Sequence, residues 1–81
     1  MNTEKVVKEK RIYNRIKAVL AEKSKTNLWL AAELKVNRTT VSKWCTNEVQ
    51  PTMESLFRIA DALEVDVRDL LVSNKTFNYI K

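Results

Sequence analysis

The sequence contains no glycine and no histidine, and it has one proline and one cysteine among 81 residues. Without histidine or a second cysteine, the chain cannot form a His-based catalytic triad, a Cys/His zinc site or an internal disulfide. Without glycine it has no glycine-rich phosphate-binding loop. We therefore expect no catalytic residues, no metal and no cofactor, and the protein is not expected to be an enzyme.

Long apolar runs are also absent. The longest, residues 28–32, has five residues, whereas a membrane helix needs about 20 and the apolar core of a signal peptide about 7–15. We expect a cytoplasmic protein that does not contact a membrane. The length suits one small domain with a modest core, which helices packed through local contacts can form.

Charge is distributed unequally along the chain. The formal net charge is +5, but residues 1–43 hold eleven Lys and Arg against four acids, whereas residues 44–81 hold four against six. A charged surface that served only solubility would have a more even distribution. The asymmetry indicates that the first half approaches a polyanion.

The spacing of apolar residues predicts five helices. The first spans residues 11–23, the second 27–34 and the third 38–46, and two more follow Pro51. Candidate N-caps precede the last four helices: Thr26, Asn37, Thr52 and Asp66. The residues expected to face the core are Ile12, Ile16, Val19, Leu20, Leu30, Ala31, Leu34, Val41, Trp44, Cys45, Leu56, Ile59, Ala60, Leu63, Leu70 and Leu71.

We expect a single domain over residues 11–72. Residues 1–10 are expected to be a flexible basic arm, with a frayed extension of the first helix as the alternative. Residues 73–81 are expected to be a tail. It is polar apart from Phe77, Tyr79 and Ile80, and its alternating pattern is more typical of a short strand or a docking segment than of a helix.

The second and third helices are joined by only a short connection, as in a helix-turn-helix. On the third helix, Val41, Trp44 and Cys45 fall on one side, which is expected to face inward. The other side presents two cations and two hydroxyls, which suit hydrogen bonds to base edges and contact with a thymine methyl. These outward residues are Arg38, Thr39, Ser42 and Lys43.

Four apolar residues have competing interpretations. Trp44 could stack on a base, although its spacing from Val41 favours the core. Cys45 could be a redox switch, although a small apolar packing residue is the more common role. The pair Leu28–Trp29 could form a patch for a partner protein or could cover the flank of the first helix.

The chain resembles a known family. The run Leu30-Ala31-x-x-Leu34-x-Val36-x-x-x-x-Val41-Ser42-x-Trp44, followed by Gln50-Pro51-Thr52 and Leu56-x-x-Ile59-Ala60-x-Ala62-Leu63-x-Val65, is similar to the Cro and repressor type of helix-turn-helix domain, the XRE family. The similarity covers roughly residues 11–71. It implies an all-α, compact, five-helix lambda-repressor-like domain that binds double-stranded operator DNA, usually as a homodimer.

The resemblance also implies roles for individual residues. Arg38, Thr39 and Lys43 match base-contacting positions, and Asn27 and Thr46 match phosphate contacts. Residues at the remaining candidate positions flank the groove or share the outward side: Asn37, Thr40 and Ser42.

The sequence departs from the family at several positions. Acidic residues are common where this chain has Trp29 and Cys45. Glycine is common at four other positions, and a Lys or Glu there costs about 1 kcal/mol if the left-handed backbone is kept. These four residues are Ser24, Lys35, Asn47 and Glu64.

The function expected from the sequence is a sequence-specific DNA-binding transcriptional regulator, with the helix over residues 38–46 in the major groove. Lys17 and Lys25 would neutralise phosphates. Dimerisation through the fifth helix and residues 77–80 would set two half-sites about 34 Å apart. The alternative is a protein-interaction module, such as the antitoxin of a toxin–antitoxin pair, which Leu28, Trp29 and the aromatic tail suggest.

Overall fold

The computed structural model describes residues 11–75, within which lie four short α-helices and a 3₁₀ helix. The α-helices are α1 (Ile16–Glu22), α2 (Asn27–Leu34), α3 (Arg38–Cys45) and α4 (Met53–Leu63), and the 3₁₀ helix is Val67–Leu70. The prediction of a compact all-α domain with five helical elements is confirmed, and the fifth element is a 3₁₀ helix. No helix in this range is long and apolar enough to cross a membrane.

Side-chain caps begin four of these elements. Each of the four predicted caps accepts a hydrogen bond from a backbone N–H in the first turn that follows it, at 2.8–3.0 Å. A cap satisfies an N–H that has no partner inside the helix, so the helix starts are specified locally. These caps are Thr26, Asn37, Thr52 and Asp66.

The α-helices end in a shared way. In each case a residue with positive φ follows the helix, and the next N–H donates to a carbonyl five residues earlier, as in a Schellman motif. For α2 this bond joins Val36 N to Ala31 O at 3.0 Å, and for α4 it joins Val65 N to Ala60 O at 3.0 Å. The left-handed residues are the four that replace glycine: Ser24, Lys35, Asn47 and Glu64.

The core receives side chains from every helix. Helix α2 lies at its centre and packs against both α3 and α4. Ala31 is buried there, and its small size allows a close approach between helices. Trp44 is 5% exposed, which confirms its place in the core. The buried apolar residues are Ile16, Val19, Leu20, Leu30, Ala31, Leu34, Val41, Trp44, Cys45, Leu56, Ile59, Ala60, Leu63 and Leu70.

The prediction for the first helix was wrong at its start. Helix α1 begins at Ile16. Residues 11–14 form an extended segment with a bridge at Asn14, and Arg15, at φ −122 and ψ 40, joins this segment to the helix. Asn14 Oδ1 accepts from Ile16 N at 3.0 Å, a local side-chain contact that competes with helix formation at residues 14–15. Ile12 is therefore exposed rather than part of the buried stripe.

The extended segment pairs with the chain that follows the 3₁₀ helix. Asn14 and Leu71 form an isolated antiparallel bridge, flanked by hydrogen bonds from Arg15 N to Leu70 O at 2.9 Å and from Val72 N to Tyr13 O at 3.0 Å. This pairing turns Leu71 outward. Leu71 is exposed, so its predicted place in the core was wrong, whereas Leu70 is buried as expected.

Two buried asparagines fix the extended segment against the end of α3. Asn47 Oδ1 accepts from the backbone N–H groups of Tyr13 and Asn14 at 2.9 and 3.0 Å, and Asn47 Nδ2 donates to Asn14 O at 3.1 Å. Asn14 Nδ2 in turn donates to Trp44 O at 3.0 Å and to Gln50 Oε1 at 2.8 Å. The sequence predicted a turn at Asn47 and did not reveal this network.

Two predicted segments lie wholly or mostly outside the described residues. These are the basic arm over residues 1–10 and, from residue 76 onward, the tail with Phe77, Tyr79 and Ile80.

Candidate nucleic-acid interface

Helix α3 packs through one side only. Val41, Trp44 and Cys45 are buried, as their spacing predicted. Because α2 and α1 both contact this helix, its orientation is set by the core. The residues between the buried positions must therefore face solvent.

The outward side of α3 carries unpaired polar groups. Arg38, Thr39, Ser42 and Lys43 are all exposed. Among residues 11–75, their side chains make no hydrogen bond or ion pair. Arg38 and Ser42, and likewise Thr39 and Lys43, are four residues apart and so lie together on the helix surface. This side of α3 therefore presents two cations and two hydroxyls that can bind a ligand without first breaking a bond within residues 11–75.

Two further predicted residues lie near the start of α3. Asn37 is exposed, and its Oδ1 is occupied by the cap bond from Thr39 N at 2.8 Å. Its amide nitrogen remains available to donate. Thr40 is half-buried and points less directly to solvent than its neighbours. Both flank the outward row without belonging to it.

The last turn of α3 contains a third contact candidate. Thr46 is exposed, and its Oγ1 lies 3.3 Å from Lys43 O and 3.2 Å from Glu48 Oε2. The sequence predicted Thr46 as a phosphate contact but gave no role to Glu48. The carboxylate beside it places a negative charge at this end of the helix.

Asn27 is separated from the other predicted residues in sequence but is brought close to the end of α3. It is the half-buried first residue of α2, and the Cys45 thiol donates to its Oδ1 at 3.4 Å. The first residue of one helix therefore contacts the last residue of the other. All eight predicted contact residues come from α2, α3 and the residues that flank α3.

The sequence around α3 has one sign of charge. Between Glu33 and Glu48 there are three cations and no acid: Lys35, Arg38 and Lys43. All three are exposed. A surface of this kind attracts a polyanion.

Lys17 on α1 extends this basic surface. It is exposed and close enough to Cys45 for its charge to act on the thiol. Burial nevertheless raises the pKa of Cys45, and Lys17 only partly opposes this effect. The thiol is therefore protonated at neutral pH, whereas a reactive cysteine needs a lowered pKa and solvent access. Lys17 lies at the same end of the domain as Asn27.

The Lys25 side chain lies on another part of the surface, over Trp29 and beside the end of α4. Its Nζ is 4.7 Å from the centre of the Trp29 ring, and both residues border a shallow surface cavity with Leu63 and Glu64 at the end of α4. Trp29 is half-buried and packs against the core. Leu28, in contrast, is 58% exposed.

The described residues provide no candidate metal centre. Nowhere in residues 11–75 do three or more His, Cys, Asp or Glu side chains cluster in a way that could hold an ion. The strongest arrangement of functional groups in this range is the outward side of α3.

Comparison with known proteins gives consistent results. The helix-turn-helix family HTH_3 matches residues 16–70. The chain is 37% identical over 62 residues to the cryptic phage CTXphi transcriptional repressor RstR of Vibrio cholerae serotype O1, which covers 76% of this chain and 52% of that protein. The chain thus spans about half the length of this relative.

A solved structure also matches. It is a crystal structure from Bacteroides fragilis of a protein provisionally described as DNA-binding, with a TM-score of 0.72 and 47% sequence identity. The match covers 73% of this chain and 95% of that one. The family match over residues 16–70 includes the helical segment that carries the outward row. The chain therefore belongs to the helix-turn-helix family of the Cro and repressor (XRE) type.

Proposed function

We propose that the protein is a sequence-specific DNA-binding transcriptional regulator that inserts α3 into the major groove. The observation that carries this proposal is the row of exposed, unpaired polar side chains on α3. An α-helix fits the major groove, where each base pair presents a distinct pattern of donors and acceptors. Side chains already paired within the protein could not read that pattern without breaking existing bonds.

The base-reading roles fall to the residues of that row. Arg38 can donate two hydrogen bonds to O6 and N7 of guanine, and Lys43 can donate to the same atoms. Thr39 and Ser42 can bond a base edge, and the Thr39 methyl can contact thymine. Arg38 and Thr39 begin the helix, and in helix-turn-helix proteins the start of the recognition helix meets the bases.

The backbone-binding roles fall to residues around the row. Asn27, at the start of α2, and Thr46, just after the neighbouring end of α3, would hold phosphates, while Lys17 adds a cation near Asn27. Asn37 and Thr40 flank the groove and would contact backbone or bases. Such contacts set the position of the protein on DNA and carry little sequence information themselves.

Similarity to a phage transcriptional repressor supports a regulatory role. Because the chain spans about half of that repressor, the regulatory activity is a proposal for this chain. We expect no enzymatic activity, and a regulator of this kind would act in the cytoplasm.

Homodimerisation is part of the proposal, because one small domain contacts few base pairs. Tyr13 and Leu71 are exposed apolar residues beside the 3₁₀ helix, which supports an interface near the fifth helical element. Two copies would present their α3 helices to half-sites about 34 Å apart. Sedimentation of the free protein and of its DNA complex measures the stoichiometry, and one copy per duplex would contradict this part.

The test of base reading is the variant Arg38→Ala. Selection from a random DNA pool first yields a preferred duplex. We expect the variant to lose about 1–3 kcal/mol of binding free energy on that duplex and to relax the preference at one base position. The variant should lose less binding free energy on a random duplex, because there the substitution removes only the attraction between the Arg38 charge and the phosphates. Gel-shift titrations at one salt concentration measure both affinities.

A matched control removes a cation from the acidic half. Arg68 is exposed in the 3₁₀ helix, and its Nη2 lies 2.9 Å from Oδ2 of Asp66, the cap of that helix. Arg68→Ala makes the same change of net charge. Because residue 68 lies beside the proposed dimer interface, sedimentation first verifies that the variant keeps the oligomeric state of the unchanged protein, and both affinities should then stay nearly unchanged. Equal losses for Arg38→Ala on both duplexes would contradict base reading by Arg38.

A second candidate function is protein binding. Leu28 is exposed on α2 and could contact a protein partner, such as a toxin bound by an antitoxin. A stoichiometric protein that co-purifies with the chain, together with no salt-sensitive DNA binding, would favour this candidate.

A further inference from the structure

A side-chain contact links the two helices of the helix-turn-helix at the proposed phosphate site. Cys45, the last residue of α3, lies with its Sγ 3.4 Å from Oδ1 of Asn27, the first residue of α2. The thiol is the donor in this contact because the amide oxygen has no proton to give. In this hydrogen bond the Cys45 thiol is therefore the donor and the Asn27 oxygen is the acceptor.

Because the thiol bonds the oxygen of the Asn27 amide, the nitrogen is the atom that can still bind a ligand. An asparagine amide has an acceptor oxygen and a donor nitrogen on opposite sides. With Oδ1 turned to the thiol, Nδ2 is turned away from Cys45. Within residues 11–75, no group accepts a hydrogen bond from Nδ2. Asn27 is only half-buried, so this donor remains within reach of a ligand.

A phosphate group offers only acceptors, so a neutral amide can bind it only through the nitrogen. An amide free to rotate would present oxygen or nitrogen, and one of these two orientations would repel the phosphate. A neighbouring side chain that bonds only the oxygen end of the amide would fix the favourable orientation before DNA binds, so binding would not have to supply that ordering free energy.

We propose that Cys45 is a positioning residue for DNA binding: its thiol holds the Asn27 amide with Nδ2 turned toward the phosphate backbone. This inference rests on the proposed function and extends it to a residue that does not contact DNA. The protonated state of the buried thiol at neutral pH keeps it a donor. Oxidation or alkylation of Sγ would remove this proton and with it the orientation.

The test is a double-mutant cycle on a duplex of random sequence, which measures backbone contact without base reading. We expect Asn27→Ala to weaken binding by about three- to tenfold through loss of its hydrogen bond to phosphate. Cys45→Ala should weaken binding by a smaller factor, about threefold, because it removes only the fixed orientation of the Asn27 amide. The double variant should bind no more weakly than Asn27→Ala alone, because Cys45 acts through Asn27. Cys45→Ser keeps a donor and should stay within about twofold of the unchanged protein.

The cycle separates positioning from packing. Cys45 also fills the core, so urea unfolding of each variant first identifies conditions in which all remain folded. A purely structural role would give independent losses, with the double variant weaker than either single variant. That result, or a folded Cys45→Ser as weak as Cys45→Ala, would overturn the inference.

A further variant tests whether residue 27 lies beside a phosphate, without touching the core. Asn27→Asp keeps an oxygen that accepts from the thiol but replaces Nδ2 with a second carboxylate oxygen. We expect binding to fall about tenfold or more, below that of Asn27→Ala, because the carboxylate repels phosphate. Binding equal to or tighter than that of Asn27→Ala would overturn the inference. If the unchanged protein shows no salt-sensitive binding to DNA, the proposed function itself fails.

Discussion

Thr46 and Glu48 place a hydroxyl and a carboxylate side by side where α3 ends. The hydroxyl lies 3.2 Å from Glu48 Oε2, so the acid helps fix a side chain that is proposed to hold a phosphate. The same acid carries the charge that a phosphate avoids. At this residue, orientation and electrostatic attraction are in conflict.

We therefore expect Glu48→Gln to bind random and preferred duplexes about two- to fivefold more tightly, from the loss of about 0.5–1 kcal/mol of repulsion between exposed charges. Glutamine keeps an oxygen that accepts from Thr46, so only the charge changes. Gel-shift titration at low salt measures the effect, which should shrink as salt is added.

The control for this prediction is Asp61→Asn. Asp61 is exposed on α4, and its substitution makes the same change of net charge at a site remote from α3 in sequence. An equal gain in affinity for Asp61→Asn would mean that only the total charge matters, and would contradict a local role for Glu48.

The outward residues of α3 could be predicted because their exposure follows from helical periodicity. Once Val41 and Trp44 are assigned to the core, the positions of Arg38 and Lys43 on the helix surface are fixed. The pairing of Asn14 with Asn47 follows no period. It depends on a contact between residues 33 apart, which a single sequence does not reveal.

Helix ends show the same division between local and non-local causes. The four predicted caps were confirmed because each depends on a side chain and a backbone N–H only two or three residues away. Helix α1 was predicted to start five residues too early, because the spacing of Ile12 and Ile16 also fits a helix. The bridge between Asn14 and Leu71 decides that question, and it joins opposite ends of the domain.

The left-handed helix ends carry a measurable cost. Glu64 has φ 59 and ψ 47, a conformation that a residue with a Cβ adopts at a cost of about 1 kcal/mol. We expect Glu64→Gly to raise the free energy of unfolding by about 0.5–1 kcal/mol, after allowing for the greater freedom of glycine in the unfolded chain. Urea denaturation measures this change.

The matched control places glycine inside a helix. Ala32 is exposed in α2, and Ala32→Gly should lower the free energy of unfolding by about 1 kcal/mol. The two glycine substitutions are thus expected to act in opposite directions. Destabilisation by both would mean that residue 64 is not left-handed in solution.

At the scale of the whole molecule, charge and shape favour one orientation toward DNA. The stretch from residue 34 to residue 47 has cations and no acid. In contrast, α4 and the 3₁₀ helix with their flanking residues carry five of the ten acids: Glu54, Asp61, Glu64, Asp66 and Asp69. The side that carries α3 would approach the phosphates, and the acidic side would face away. The sequence predicted this polarity but could not assign each lysine to a side.

Lys17 and Lys25 distinguish the two sides. Lys17 lies near Cys45 and the Asn27 site, whereas Lys25 lies over Trp29 beside the end of α4. We expect Lys17→Ala to weaken binding to the preferred and the random duplex equally. It should also reduce the magnitude of the slope of log affinity against log salt concentration by about 0.9, the value for one phosphate contact. Lys25→Ala makes the same charge change, and its slope should shift by much less. A slope change for Lys25→Ala as large as that for Lys17→Ala would mean that DNA lies across the α2–α4 surface as well, contrary to the proposed orientation.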